Sequence, residues 1–210
     1  MGSPLHRIEF LEALGKGGFG AVYLANVTRS DALVQRLAIK LMRSEDPDRT
    51  DLLARHRDEA RLLAQLNHDH IVKVMDLTEI HGRPALIMEY IEGVDANALL
   101  NDGPVPTRAC VQIIRCTASA LAAAWSTPNV KEGTPLRVIH RDIKPSNLLI
   151  SRHGGVKVLD FGIARAEFDR EGRTTAGQLG TARFMAPEQW LSSLVGPAVD
   201  IYALGVTFLE

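Results

Sequence analysis

The stretch RVIHRDIKPSNLLI, running from Arg137 to Ile150, constrains this chain more than any other. Two aliphatic runs flank a polar knot of His140, Arg141, Asp142, Lys144 and Asn147. Ion-forming groups packed this densely beside apolar chain are costly to desolvate unless each finds a partner. A fold that accepts them there must gain something from the arrangement.

At 210 residues the chain has room for one domain, or one domain of two lobes, with a real core. Lys and Arg number 24 against 25 Asp and Glu, so no field of one sign points to nucleic acid or a membrane surface as partner. Cys110 and Cys116 fall in one apolar helical stretch and read as reduced core thiols. No apolar run is expected to reach the roughly 18–20 residues that span a bilayer, and no signal peptide opens the chain. The expectation is a soluble, cytoplasmic chain without a membrane segment.

From Phe10 to Leu41 the text reads as strands, FLEAL, AVYLANV and RLAIKLM, with a glycine run after the first. A helix follows, with Pro47 near its first turn and apolar positions through Leu66. IVKVMDLTEI and PALIMEYI are two more strands, turning at Gly82. After Tyr90 the composition changes. EGVDANALL opens a helical region, and Arg108 to Trp125 is apolar nearly all round, as a buried central helix would be. NLLISRHGGVKVLDFG is a hairpin turning at Gly154 and Gly155, and VDIYALGVTFLE is a final helix. The expected class is α+β, with a strand-rich region over 1–90 and a mainly helical region over 91–210.

GKGGFGAV places Gly15, Gly17 and Gly20 in G-x-G-x-x-G spacing. A dinucleotide fold would need a helix after the third glycine and an acid about 20 residues on. Here a strand follows, and Lys40 stands where the acid should be. No Gly-Lys-Ser/Thr triplet makes a Walker-type loop. What remains is a hairpin with a bare tip whose backbone N–H groups can approach phosphates, or a plain flexible hairpin.

Lys40 sits in LAIKLM, a strand otherwise without charge, and Glu59 shares a predicted helix face with Leu52, His56, Leu63 and Leu66. A core-facing carboxylate wants a cation within about 4–6 Å. Lys40 is the natural partner; a solvated Glu59 on a slightly rotated helix is the alternative.

Asp160 ends the alternating strand VKVLDFG, and Asn147 immediately precedes the strand LLI that pairs with it. The hairpin brings the two together as oxygen ligands for a hard divalent ion such as Mg²⁺. Asp142, five residues before Asn147, is spaced to accept a hydroxyl proton beside a metal-bound phosphate, and Lys144 can supply positive charge to the phosphoryl group.

With these residues assembled, the chain resembles the protein kinases. The glycine loop Gly15–Val22, LAIK ending at Lys40, Glu59, HRDIKPSN, DFG and APE (Ala186–Glu188) stand in that family's order and spacing from about Ile8 to the last residue. HRDIKPSN and GTARFMAPEQ look like the eukaryotic-type Ser/Thr kinases of bacteria. The resemblance implies a two-lobed kinase fold, with an antiparallel-sheet N-lobe holding one key helix (1–90) and a mainly helical, incomplete C-lobe (91–210).

The resemblance also implies roles. Gly15, Lys16, Gly17, Gly18, Phe19 and Gly20 would cover the ATP phosphates. Lys40, braced by Glu59, would hold the α- and β-phosphates. Val22, Ala38 and Leu149 would sandwich adenine, with Met88 at the gate and Glu89 to Ile91 as the hinge. Asp142 would orient and deprotonate the acceptor hydroxyl, and Lys144 would contact the γ-phosphate. Asn147 and Asp160 would hold Mg²⁺, or Mn²⁺ in its place. Lys144, with Thr181, favours Ser or Thr as acceptor on protein substrates. Arg141, Arg165 and Arg55 match a basic pocket for a phosphate on the activation segment, with Thr175 favoured over Thr174 as its bearer, by self-phosphorylation in trans. Both threonines read otherwise as polar loop residues.

Other residues carry architecture. The resemblance implies a hydrophobic column of Val74, Leu63, Phe161 and His140, and an Asp200 that bonds the backbone of the catalytic loop. His68 and His70 read as a turn before a strand, and Trp125 and Trp190 as core. STPNVKEGTPLR, before Val138, is longer than the family's usual link and reads as a surface loop. The end at Glu210 reads as truncation, since such a domain continues for on the order of another 50–70 residues. Two alternatives to a protein kinase are a nucleotide-binding or scaffolding module without turnover, and a small-molecule phosphotransferase of similar architecture.

Overall fold

The computed structural model describes residues 5–17, 20–29, 33–42, 62–161, 182–191 and 195–210. They form two compact units, one of Met1–Ala64 with Lys73–Tyr90, the other of Gln65–Val72 with Ile91–Glu210.

The first unit is an antiparallel sheet of β1 (Leu5–Gly17), β2 (Gly20–Arg29), β3 (Val34–Met42), β4 (Val74–Ile80) and β5 (Arg83–Glu89) in the order β1-β2-β3-β5-β4. Period-two alternation fixes its register, because a slip of one residue would exchange the two faces. One face buries Ala25, Val27, Leu37, Ile39, Ala85 and Ile87 as a core, with Ile8, Leu41 and Ile80 packed against it. Tying β4 to β5 is the turn His81–Gly82, both residues at positive φ (50° and 75°), the twist a tight hairpin requires. Arg83 closes the far end of β3, its Nε and Nη2 donating to the Met42 carbonyl at 3.1 and 2.9 Å. Register shifts interrupt β1 at three places, and such bulges bend an edge strand away from stray pairing. The helix expected between Pro47 and Leu66 lies mostly outside the described residues.

The second unit holds a three-stranded sheet, β6 (Gly93–Asp95), β7 (Leu148–Ser151) and β8 (Val156–Val158). Its helices are α1 (Ala96–Asp102), α2 (Thr107–Ser126), α3 (Pro187–Leu191) and α4 (Ala198–Leu209). Residues 65–72 join this unit through β8: the Val72 N–H donates to the Val158 carbonyl at 3.0 Å, and the Val158 N–H to that of His70 at 2.8 Å.

The fold departs from expectation at four places. Helix does not begin within EGVD: Gly93–Asp95 pairs with Leu149–Ser151 as a strand, satisfying backbone groups that β7 would otherwise leave open. Asp95 then caps α1, accepting from the Ala98 N–H at 2.8 Å. Nor is α2 buried all round; its buried residues are Cys116, Thr117, Ala120, Leu121 and Ala124, one stripe facing α4 and β8. Ala122 is exposed and serves helix propensity on the open side, while Ala120 and Ala124 are buried, a distinction that composition cannot make. In addition, α2 is 20 residues long and, by length and composition, apolar enough to cross a membrane, contrary to the expectation of no such run. Trp190, expected in the core, is 58% exposed on α3, a five-residue helix with no buried residue. Trp125 is half-buried, with the Arg137 guanidinium 5.7 Å from its ring centre.

The long link before Val138 is an ordered hairpin. Pro128 bridges Pro135, the Asn129 N–H donates to the Thr134 carbonyl at 2.7 Å, and the Leu136 N–H to that of Thr127 at 2.8 Å. Gln65 Oε1 accepts from the Val130 N–H at 2.9 Å and pins its tip.

Candidate active site

In the first unit, β-register decides which expected residues share a face. Lys40 lies opposite Val22 and Leu86, and Ala38 opposite Leu24 and Met88. Directly paired residues point the same way, so Val22, Ala38, Lys40 and Met88 line one face, the face opposite the core cluster. Ala38 and Met88 are buried there and Lys40 is half-buried. Gly15 pairs with Val22, and Gly17 with Gly20, at the end of the β1–β2 hairpin. Gly20, at φ 142°, is required by the fold, since a Cβ there would collide with the Leu41 carbonyl. A Cβ at Gly15 would meet nothing within 4 Å, so the fold itself does not ask for glycine. Lys16 is exposed. Glu89 closes the end of β5 against Lys73, its N–H donating to the Lys73 carbonyl at 3.0 Å and its Oε1 accepting from the Lys73 N–H at 2.8 Å.

In the second unit the polar knot is a loop folded onto its own polar groups. Asn147 ends a 3-10 turn (Pro145–Asn147) that starts on a proline. Its Nδ2 donates to the Asp142 carbonyl at 2.7 Å and to Asp142 Oδ2 at 3.0 Å. Lys144 Nζ lies 2.9 Å from the same Oδ2. One carboxylate oxygen is therefore held by an amide and an ammonium, a charge-assisted arrangement that fixes its rotamer.

Two further groups hold the loop from behind. Asp200, 4% exposed in the first turn of α4, accepts from the His140 N–H through Oδ2 and from the Arg141 N–H through Oδ1, both at 2.7 Å. Burial pushes its carboxyl above the usual range, against the pull of His140, those two backbone N–H groups and Arg141. His140, fully buried, has its tautomer set by its neighbours. Nδ1 accepts from the Asp142 N–H at 3.2 Å, so Nε2 carries the proton and donates to the Leu159 carbonyl at 2.7 Å. Its ring lies on Phe161, centroids 4.6 Å apart. In the expected column these two belong to the second unit, and Leu63 and Val74 to the first.

Asp160 follows β8 at φ 53°, and Arg141 stands at φ 64°. Non-glycine residues held in this region carry about 1–3 kcal/mol of strain and cluster at functional sites. The Leu159 N–H donates to the Asn147 carbonyl at 2.9 Å, which sets Asp160 one residue past that bond. Leu149 is half-buried on β7, and Ile91 is half-buried before β6.

His68 and His70 form a T-shaped pair with centroids 5.4 Å apart; His68 Nδ1 accepts from the His70 N–H at 3.2 Å. Desolvation, aided by His70, lowers the His68 pKa. Among the described residues, no three His, Cys, Asp or Glu side chains gather as a metal site. Gly18, Phe19, Glu59, Arg55, Arg165, Thr174, Thr175 and Thr181 lie outside the described residues.

Sequence reasoning passed over Gln189. It follows Ala186 by three residues at the start of α3, the spacing of a capping box, and that spacing was the available signal. Its Oε1 accepts from the Ala186 N–H at 2.9 Å, and its Nε2 donates to the Arg141 carbonyl at 3.4 Å.

Comparison with known proteins bears on the family and the fold. A family model described as the protein kinase domain matches residues 8–210. The serine/threonine-protein kinase PknB of Mycolicibacterium smegmatis is 36% identical, over 100% of this chain and 33% of its own length. MasK of Myxococcus xanthus, named a tyrosine-protein kinase, is 37% identical over 99% of this chain and 33% of its own length. The chain thus spans a third of the length of these relatives. A crystal structure of the Mycobacterium tuberculosis PknI kinase domain superposes with a TM-score of 0.71 at 25% identity, over 98% of this chain and 72% of that one.

Proposed function

We propose that this chain, which belongs to the protein kinase family as a bacterial-type Ser/Thr kinase catalytic domain, transfers the γ-phosphate of ATP to Ser or Thr hydroxyls of proteins. The observation that carries this reading is the Asp142 carboxylate, held through Oδ2 by Lys144 and Asn147 on a loop anchored to buried Asp200. A carboxylate fixed in this way can receive the proton of an acceptor hydroxyl as the oxygen attacks phosphorus. Lys144 answers the charge that develops on the transferring group and keeps Asp142 oriented.

On the first unit, Lys40 takes the α- and β-phosphates. Val22, Ala38 and Met88 on the same sheet face take adenine, and the backbone of Glu89 and Tyr90 reads the adenine edge. Gly15 supports this assignment, because a glycine that the fold does not need leaves its backbone open to close approach by phosphate. The amide oxygen of Asn147 and the carboxylate of Asp160 are hard donors that fit Mg²⁺ or Mn²⁺. Mg²⁺ ordinarily takes one or two carboxylates and completes its shell with phosphate oxygens and water. Bound there, such an ion neutralises phosphate charge. Glu59 braces Lys40, and phosphorylation of Thr175 or Thr174, by a second copy of the kinase, orders the activation segment on Arg55, Arg141 and Arg165. A kinase domain of this kind meets its ATP in the cytoplasm.

The test is incubation of the full-length protein with ATP, Mg²⁺ and a generic protein acceptor, followed by mass spectrometry. Phosphoserine or phosphothreonine is expected, and Asp142→Asn should abolish most of it. Nucleotide binding without transfer would replace this reading with a binding module, and phosphotyrosine alone would overturn the acceptor assignment.

A further inference from the structure

We infer that Gln189 is a positioning residue for Asp142, and that it ties the catalytic loop to the segment 182–191. The inference rests on the proposed phosphotransfer for its consequence, and on geometry for its substance.

The peptide unit joining Arg141 to Asp142 is the platform from which the Asp142 side chain projects. Its N–H donates to His140 Nδ1 at 3.2 Å, and its C=O accepts from Gln189 Nε2 at 3.4 Å. Those two bonds engage opposite edges of one rigid plane, so together they resist its rotation. Resistance is needed, because Arg141 sits at φ 64°, where a residue with a side chain relaxes unless its surroundings hold it. On the other side of Arg141, its N–H is held by Asp200. His140 and Asp200 answer to the core of the second unit; Gln189 alone of these three belongs to the segment around α3.

The other end of the same amide fixes Gln189 in place. Oε1 accepts the Ala186 N–H at 2.9 Å, the reach-back bond of a capped helix start. With the oxygen committed to Ala186, the NH₂ group must point toward Arg141. Ala186 is buried and Phe184, two residues earlier, is 4% exposed, so the segment is seated firmly enough to transmit position. An acceptor hydroxyl docked against this segment would then meet Asp142 at a set distance, which proton transfer demands.

Helix capping alone would also explain a glutamine here, and substitution separates the two. Gln189→Glu keeps an oxygen for the Ala186 N–H but replaces the donor facing the Arg141 carbonyl with a second oxygen. Measured on full-length protein, the thermal midpoint of Gln189→Glu should match wild type. Its kcat should fall on the order of tenfold, with KM for ATP unchanged. Hydrogen exchange of the peptide spanning Arg141–Ile143, followed by mass spectrometry without nucleotide, should quicken. Exchange that stays at the wild-type rate overturns the inference, and so does faster exchange with wild-type kcat. If wild type itself transfers no phosphate while exchange quickens in Gln189→Glu, the clamp stands and the phosphotransfer reading falls.

Discussion

Asp200 and Asp142 are two carboxylates of one unit set to different work by their surroundings. Asp142 is half-buried and faces an ammonium and an amide. Asp200 is buried and faces two backbone N–H groups. Removing the first should remove chemistry: Asp142→Asn is expected to lower kcat by about 10²–10⁴ with ATP affinity little changed, checked by single-turnover kinetics beside nucleotide titration. Removing the second should remove structure. Asn at 200 offers one acceptor oxygen and aims an N–H₂ group at a donor, so Asp200→Asn should destabilise by about 1–3 kcal/mol in denaturant melts. Its pH dependence has a definite sign. Because the folded pKa is raised above 3.8, the folded state binds this proton more tightly than the unfolded chain. The stabilisation from that proton is complete below 3.8 and is lost as pH rises through the folded value. The stability gap between wild type and Asp200→Asn should therefore widen on acidification from neutral pH; a narrowing gap would contradict the assignment.

At the scale of elements, the β1–β2 hairpin and the β7–β8 hairpin do comparable jobs. Each uses strand pairing to fix one residue relative to another: Gly15 opposite Val22 in one, Asn147 beside Leu159 in the other. Two glycines of the first hairpin differ in what the fold asks of them. Gly20→Ala forces a Cβ onto the Leu41 carbonyl at φ 142° and should destabilise by more than about 2 kcal/mol. Gly15→Ala meets no atom, so its thermal midpoint should stay near wild type while KM for ATP rises. Equal melting losses in both variants would show that Gly15 serves the fold after all. The strands, both hairpins and the last helix were legible because alternation and turn glycines are local signals. The short strand Gly93–Asp95 was not, because its extended form answers to β7, more than fifty residues away in the chain.

For the whole molecule, membership of the protein kinase family rests on six motifs in order and on a family match over residues 8–210. Regulation is a property of the whole molecule. If phosphate on Thr174 or Thr175 orders the segment, Thr174→Ala/Thr175→Ala should lower turnover several-fold after preincubation with ATP. A phosphatase-treated wild type should match it. Equal turnover with and without these hydroxyls would remove the switch.

Family and fold class followed from the sequence by itself, because motif residues must recur at spacings that the backbone can bring together. What surrounds those groups was decided only in three dimensions. The tautomer of His140, the left-handed turn at Arg141, the outward Trp190 and the one-sided burial of α2 each depend on residues distant in the chain. Hydrogen bonding and burial are properties of such neighbours, and a linear text does not list them.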